Sequence, residues 1–198
     1  GCVAAFGATN DLNLYFKPGL HHVSSVANIG ASPADVMLTE IILREKYKMT
    51  PRVTEFPRKA EEAMGMFDAV LTAGTEETPL SENMLDITDE WFDMTQLPYI
   101  KYLFAGWNHR LNERFTEAIL KAAEQADKDA TAHLQDILDG SLSDQPEHQI
   151  PGHHRYVFGE EEHEALDQFF RMAFFHGLNK DIPDIVFWAP EEEENPPE

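Results

Sequence analysis

Residues 27–35 read A-N-I-G-A-S-P-A-D, between an apolar run and a long helical pattern. Gly30 closes the run, Ser32 stands in a cap position, and Pro33 takes the first helical position, where its missing N–H costs nothing. From residue 33 to 47, Met37, Leu38, Ile41 and Ile42 recur at helical spacing. The apolar run at 21–28 therefore reads as a strand that delivers the chain into a helix. Residues 52–56 read as a second strand and 59–64 as a short helix. A third strand at 67–72 is bounded by Gly65 and Gly74. The β-α-β-α-β order predicts an α/β fold with a parallel sheet and right-handed crossovers.

Working outward, residues 2–6 and 12–16 are short apolar runs separated by turn residues, Gly7 and Asn10-Asp11, and Pro18-Gly19 follows. Both read as strands. After residue 80, a turn and short helix are expected over 85–95. The run L-P-Y-I-K-Y-L-F-A-G-W at 97–107 is long enough for a strand crossing a whole sheet. Phe115, Ile119, Ala122, Ala126, Ala130, Leu134, Ile137 and Leu138 step by three and four, predicting one helix of roughly seven turns from Asn112. Leu166, Phe169, Phe170, Ala173 and Phe174 predict a second, over about 160–177, with a polar loop at 140–159 between them. The I-V-F-W run within 182–190 fits either a late strand or a strap over the core. The final A-P-E-E-E-E-N-P-P-E reads as a solvated acidic tail.

The 198 residues are 42% hydrophobic, enough for one sizeable core. Thirty-six acidic residues against fifteen basic ones give a net charge of -21. Such a field repels phosphate backbones and anionic lipids, so neither nucleic acid nor membrane is an expected partner. One cysteine, Cys2, leaves no internal disulfide and agrees with a reducing compartment. No run reaches the roughly 18 apolar residues that span a bilayer. The opening G-C-V-A-A-F-G, apolar from its second residue and without an initiator Met, reads as the interior of a longer protein.

Two readings of the turn Gly30-Ala31-Ser32 stand side by side. At the carboxyl end of a parallel strand, its amides and the helix dipole suit a carboxylate or phosphate. A capping box between Ser32 and Asp35 would use the same donors internally. Gly74-Thr75 ends the neighbouring strand and should face the same crevice as Ser32. His148, His153, His154 and His163, with His21-His22 apart, lack the ordered spacing of a zinc site and read as surface groups, so no metal is expected. Asp86, Asp89 and Glu90 fit an acid-rich helix start. Phe169, Phe170 and Phe174 fit a core-facing stripe.

Four stretches taken together carry a resemblance: G-C-V-A-A-F-G, V-A-N-I-G-A-S-P-A-D-V-M-L-T-E-I-I-L-R-E-K-Y, D-A-V-L-T-A-G-T and D-I-T-D-E-W-F-D-M-T-Q-L-P-Y-I-K-Y-L-F-A-G-W. In this order they resemble the chorismate dehydratases of the futalosine route to menaquinone. The resemblance runs from about residue 1 to 178. It implies one lobe of a type II periplasmic-binding-protein-like fold. Residues 1–178 would form the second lobe plus returning helices and 179–198 an extension, with a missing first lobe or a homo-oligomer as partner. It also implies a lyase that dehydrates chorismate in the cytoplasm without metal or organic cofactor. The small carboxylated substrate would be held by Gly30, Ala31, Ser32, Gly74 and Thr75. Where the family tends to a Ser-Arg-Thr-Ser-like run, this chain has Ser32, Pro33, Ala34 and Asp35. Gly74-Thr75 stands for Gly-Asp, and Thr95-Gln96-Leu97-Pro98-Tyr99 for Thr-Gly-Leu-Pro-Phe. The departures imply weak carboxylate binding at the helix start. No residue offers itself in the sequence as the general base, so a non-catalytic binder of small anions with the same fold is the alternative.

Overall fold

The computed structural model describes residues 1–20, 22–74, 80–106, 112–141 and 153–186. Thr75, His21, His148 and the tail from residue 187 lie outside them. Strands β1 (Cys2–Phe6), β2 (Leu12–Phe16) and β3 (Ser25–Ile29) lead into helix α1 (Pro33–Glu45). Then come β4 (Arg52–Glu55), α2 (Ala60–Met66), β5 (Ala69–Ala73), β6 (Met84–Asp86), α3 (Ile87–Thr95) and β7 (Tyr99–Leu103). Helix α4 (Glu113–Ser141), β8 (His153–Arg155) and α5 (Glu160–Phe175) complete the order.

The strands form two sheets. The larger has the order β4-β3-β5-β2-β6. Its first three strands are mutually parallel, with Val26 opposite Val53 and Ala27 opposite Val70, as the β-α-β-α-β order predicts. The sheet as a whole is mixed, because β2 runs antiparallel to both β5 and β6. β2 starts at the carboxyl edge of the parallel strands, Leu12 opposite Ala73, and so runs the opposite way along β5.

Burial follows the pleat. Leu12, Leu14, Val26 and Leu71 face a core shared with Leu38, Ile41 and Ile42 of α1, Ile87 and Trp91 of α3, and Phe169 of α5. Ala27 and Val70 face the other way, onto Ala60 and Ala63 of α2. Trp91 is fully buried, and its indole N–H donates to the Pro98 carbonyl at 3.1 Å, so its one polar atom is satisfied. Phe169 packs edge-on against both Trp91 and Tyr99. It is core, as its spacing predicts, whereas Phe174 at the end of the same helix is half exposed.

The smaller sheet is antiparallel, ordered β7-β1-β8. The long strand expected over 97–107 is here five residues, Tyr99–Leu103, and it pairs with β1 instead of crossing the larger sheet. Pro98 supplies no N–H, and the ladder is interrupted by a bulge: Tyr102 faces Val3 and Ile100 faces Ala4, leaving Lys101 without an opposite residue. β8 lies inside the expected polar loop, and three residues carry too little alternation to announce a strand. Helix α4 has 29 residues, about eight turns. Asn112 accepts the Phe115 amide at 2.9 Å at its start, yet Phe115 and Leu120 are about half exposed and Ala123 is the buried contact. Residues 182–186 form neither strand nor helix. Ile185 and Val186 line a groove with Phe104, Phe115 and Leu120.

Candidate functional site

β3 and β5 are neighbours in parallel register, Ile29 opposite Thr72, so the turns that follow them leave the same edge of the sheet. Gly30 and Gly74 both adopt positive φ, 80° and 101°, which a side chain would strain. β2 starts at this edge from the other direction, Leu12 opposite Ala73. The Gly74 amide donates to the Asp11 carbonyl at 2.8 Å. The α1 start, the Gly74 turn and the β1–β2 link therefore meet at one side of the sheet.

The α1 start is internally closed. Asn28, buried in β3, accepts the Ala31 amide at 3.0 Å and donates to the Ala31 carbonyl and to Glu55. The capping box forms: the Asp35 amide donates to Ser32 Oγ at 3.2 Å, and the Ser32 amide and hydroxyl donate to the Asp35 carboxylate at 3.0 and 2.7 Å. Pro33 has no N–H. The Val36 amide donates to the Ser32 carbonyl at 3.0 Å and closes the first turn. The second Asp35 oxygen accepts the Tyr99 hydroxyl at 3.1 Å.

Charge collects beside it, on Asp11. Its Oδ2 is ion-paired with Lys101 of β7 and lies 3.6 Å from Nε2 of His154 in β8. Its Oδ1 accepts the Thr9 hydroxyl at 2.6 Å. Burial pushes the Asp11 carboxyl up, but hydrogen bonds from His154, Lys101 and Thr9 outweigh it and hold the group well below the usual carboxylate range. Asp11 is an ionised carboxylate shared by two side chains from opposite flanks of β1. Lys101 is the residue that the bulge leaves without an opposite partner in β1. Its side chain is 12% exposed and that of His154 is 30% exposed, so the imidazole is the more open partner.

A second set of bonds fixes the link. Thr88 donates to Asp86 at 2.6 Å and lies 3.0 Å from Thr9, while the Asn10 amide donates to Asp86 at 2.6 Å. Asp86 also caps α3 by accepting the Thr88 and Asp89 amides. Glu90 takes the Tyr47 hydroxyl and Lys46. The acid-rich segment thus acts as a helix start and a docking point for α1. Asn13 and Thr72 face each other across β2 and β5 at the same edge. Among the described residues, Asn13 Oδ1 and Thr72 Oγ1 are buried without a hydrogen-bond partner, which leaves hydrogen-bonding capacity under the edge.

The histidines separate. His153 stacks on Phe6 at 5.0 Å, His154 turns to Asp11, and His163 sits in α5. Among the described residues no three His, Cys, Asp or Glu side chains converge as a metal site. Of the residues that build the charged cluster, sequence reading took Asp11 as turn chemistry and His154 as a surface group, and did not single out Lys101. The available signal was a lone cation inside the apolar run L-P-Y-I-K-Y-L-F.

With this geometry in place, comparison with known proteins is specific. A chorismate dehydratase from Thermus thermophilus is 26% identical over 157 residues, a match covering 69% of this chain and 56% of that protein. The chain spans little more than half the length of the curated relative it matches. Residues 1–174 match the model of a family described as menaquinone biosynthesis. With nearly nine-tenths of its length inside that match, the chain belongs to the menaquinone biosynthesis family.

Proposed function

We propose that this chain supplies the substrate-binding lobe of a chorismate-dehydratase-like carbon–oxygen lyase. On this reading residues 1–178 form the second lobe and returning helices of a two-lobed, binding-protein-like fold, with 179–198 as an extension. The missing lobe, or a second copy, closes the cleft. The substrate is a small carboxylated molecule of the chorismate kind, handled in the cytoplasm without metal or organic cofactor.

The observation that carries the reading is the convergence, on one edge of the sheet, of Gly30, Ala31 and Ser32 with Gly74 and the charged Asp11–Lys101–His154 cluster. Open α/β sheets hold ligands at the carboxyl ends of their strands. Thr75, the next residue in sequence after Gly74, belongs to the proposed set of substrate contacts but lies outside the described residues. The dehydration removes a ring proton and expels a hydroxyl as water, which needs positioned proton-transfer groups and exclusion of solvent by lobe closure. Closure of the α1 start by Asp35 favours the second reading, a non-catalytic binder of the same fold.

Calorimetric titration with chorismate, followed by mass spectrometry of the mixture, run on the chain alone and again with the first lobe of a chorismate dehydratase added, separates the two. Binding with appearance of a product lighter by one water supports the lyase. Binding without product supports the binder. Absence of binding removes both.

A further inference from the structure

A carboxylated ligand arriving at this edge needs a cation or free amides. The α1 start offers little of either. Ser32 and Asp35 amides are taken up by the capping box, Pro33 has none, and Asp35 adds a negative charge. The nearby side-chain donors belong to a different part of the fold. Lys101 reaches Asp11 from the bulge in β7, and His154 reaches the same oxygen from β8. Arg155, the next residue along, is engaged elsewhere, over the Phe6 ring at 4.4 Å and on Glu161 and Glu162.

The two groups on Asp11 differ from an ordinary surface ion pair in three ways. Lys101 is mostly buried and held by a backbone irregularity that serves no pairing. Asp11 is also held at its other oxygen by Thr9, which is itself 3.0 Å from Thr88, so it keeps a partner when Lys101 and His154 turn to a ligand. The Asp11 carbonyl receives the Gly74 amide, which couples the cluster to the proposed rim.

Resting on the reading of this edge as the substrate side, we propose that Lys101 and His154 receive a ligand carboxylate, with Asp11 as the internal counter-ion that the ligand displaces. A carboxylate accepting bonds from an ammonium and an imidazole makes charge-assisted contacts that the α1 start can no longer supply. The same arrangement explains how a family member can carry Pro33, Ala34 and Asp35 at the helix start and keep an anion-binding side.

The test is calorimetric titration of two probes, chorismate and isophthalate, a flat aromatic dicarboxylate, into the full chain and its variants. Lys101→Met is expected to weaken binding at least about tenfold, because one charge-assisted contact is worth that much. Lys101→Arg retains most of the affinity, and a thermal melt confirms that each variant is folded. His154→Gln weakens binding by a smaller factor, and Asp11→Asn strengthens it. If folded Lys101→Met binds as the wild type does, or Asp11→Asn binds more weakly, the inference is overturned while the chorismate reading stands. If isophthalate binds in a Lys101-dependent manner and chorismate does not bind, the inference stands and the chorismate reading falls. If neither probe binds the wild type, both fall.

Discussion

The Tyr99 hydroxyl donates to the Asp35 carboxylate at 3.1 Å, joining the first residue of β7 to the first turn of α1. Tyr99 is 2% exposed and packs against Phe169. One side chain therefore connects the smaller sheet, the α1 start and the helix that covers both. Burial, then the charge of Asp35, push the Tyr99 hydroxyl well above its ordinary range, so it remains a donor across the working pH range.

Removing that donor tests the connection. Tyr99→Phe keeps the ring and loses a bond to a charged acceptor, which is worth about 1.5–3 kcal/mol. The expected result is a lower urea midpoint with an unchanged slope. Asp35→Ser is expected to cost at least as much, because it removes the Tyr99 acceptor together with half of the capping box. A Tyr99→Phe protein as stable as the wild type would mean that the 3.1 Å bond contributes nothing net.

What the sequence disclosed and withheld divides along the same lines. Ser32, Pro33 and the spacing of Leu38, Ile41 and Ile42 are local signals, so α1 and the three parallel strands around it were legible. The capping box was legible too, as one of two uses for the same donors. Direction in β2 and membership of β7 in a second sheet depend on pairing between distant segments, which no local pattern encodes. The charged cluster depends on a bulge and on side chains from three elements. Asp11, Lys101 and His154 look like a turn residue, an interruption and a surface histidine until tertiary structure brings them together.

Phe169 is the shared contact of Trp91 and Tyr99, so its loss should be felt in both layers. Phe169→Ala is expected to destabilise by about 3–5 kcal/mol, the range for removing a buried aromatic ring and leaving a cavity. Phe175→Ala, at a position 80% exposed, should change stability by less than about 0.5 kcal/mol. Chemical denaturation of the two variants side by side checks the assignment, and equal effects would place Phe169 outside the core.

Cys2 is buried in β1, with Sγ 3.5 Å from the Val157 carbonyl. Burial, then the charge of Glu162, push its thiol up to about 12. The thiolate, which is the reactive form, is therefore almost absent at neutral pH. An aromatic disulfide reagent should label Cys2 at a negligible rate in the native protein and fully after denaturation. Rapid native labelling would show that β1 opens readily at its first residue.

Asp11 gives the acid limb of stability a defined origin. Burial opposes ionisation, but His154, Lys101 and Thr9 favour the charged form and hold the folded carboxyl below the ordinary value of about 3.9. A depressed folded value means that the native state resists protonation more than the unfolded chain does. The contribution is therefore fully present above the unfolded value and is lost as pH falls toward the folded one. Asp11→Asn cannot titrate, so its deficit relative to the wild type should be largest near pH 7 and shrink steadily below about pH 4. Urea denaturation of both proteins across that range measures the difference directly. A deficit that stays constant into acid would mean that Asp11 holds Lys101 and His154 no more tightly as a carboxylate than as an amide, and that the cluster is not organised by its charge.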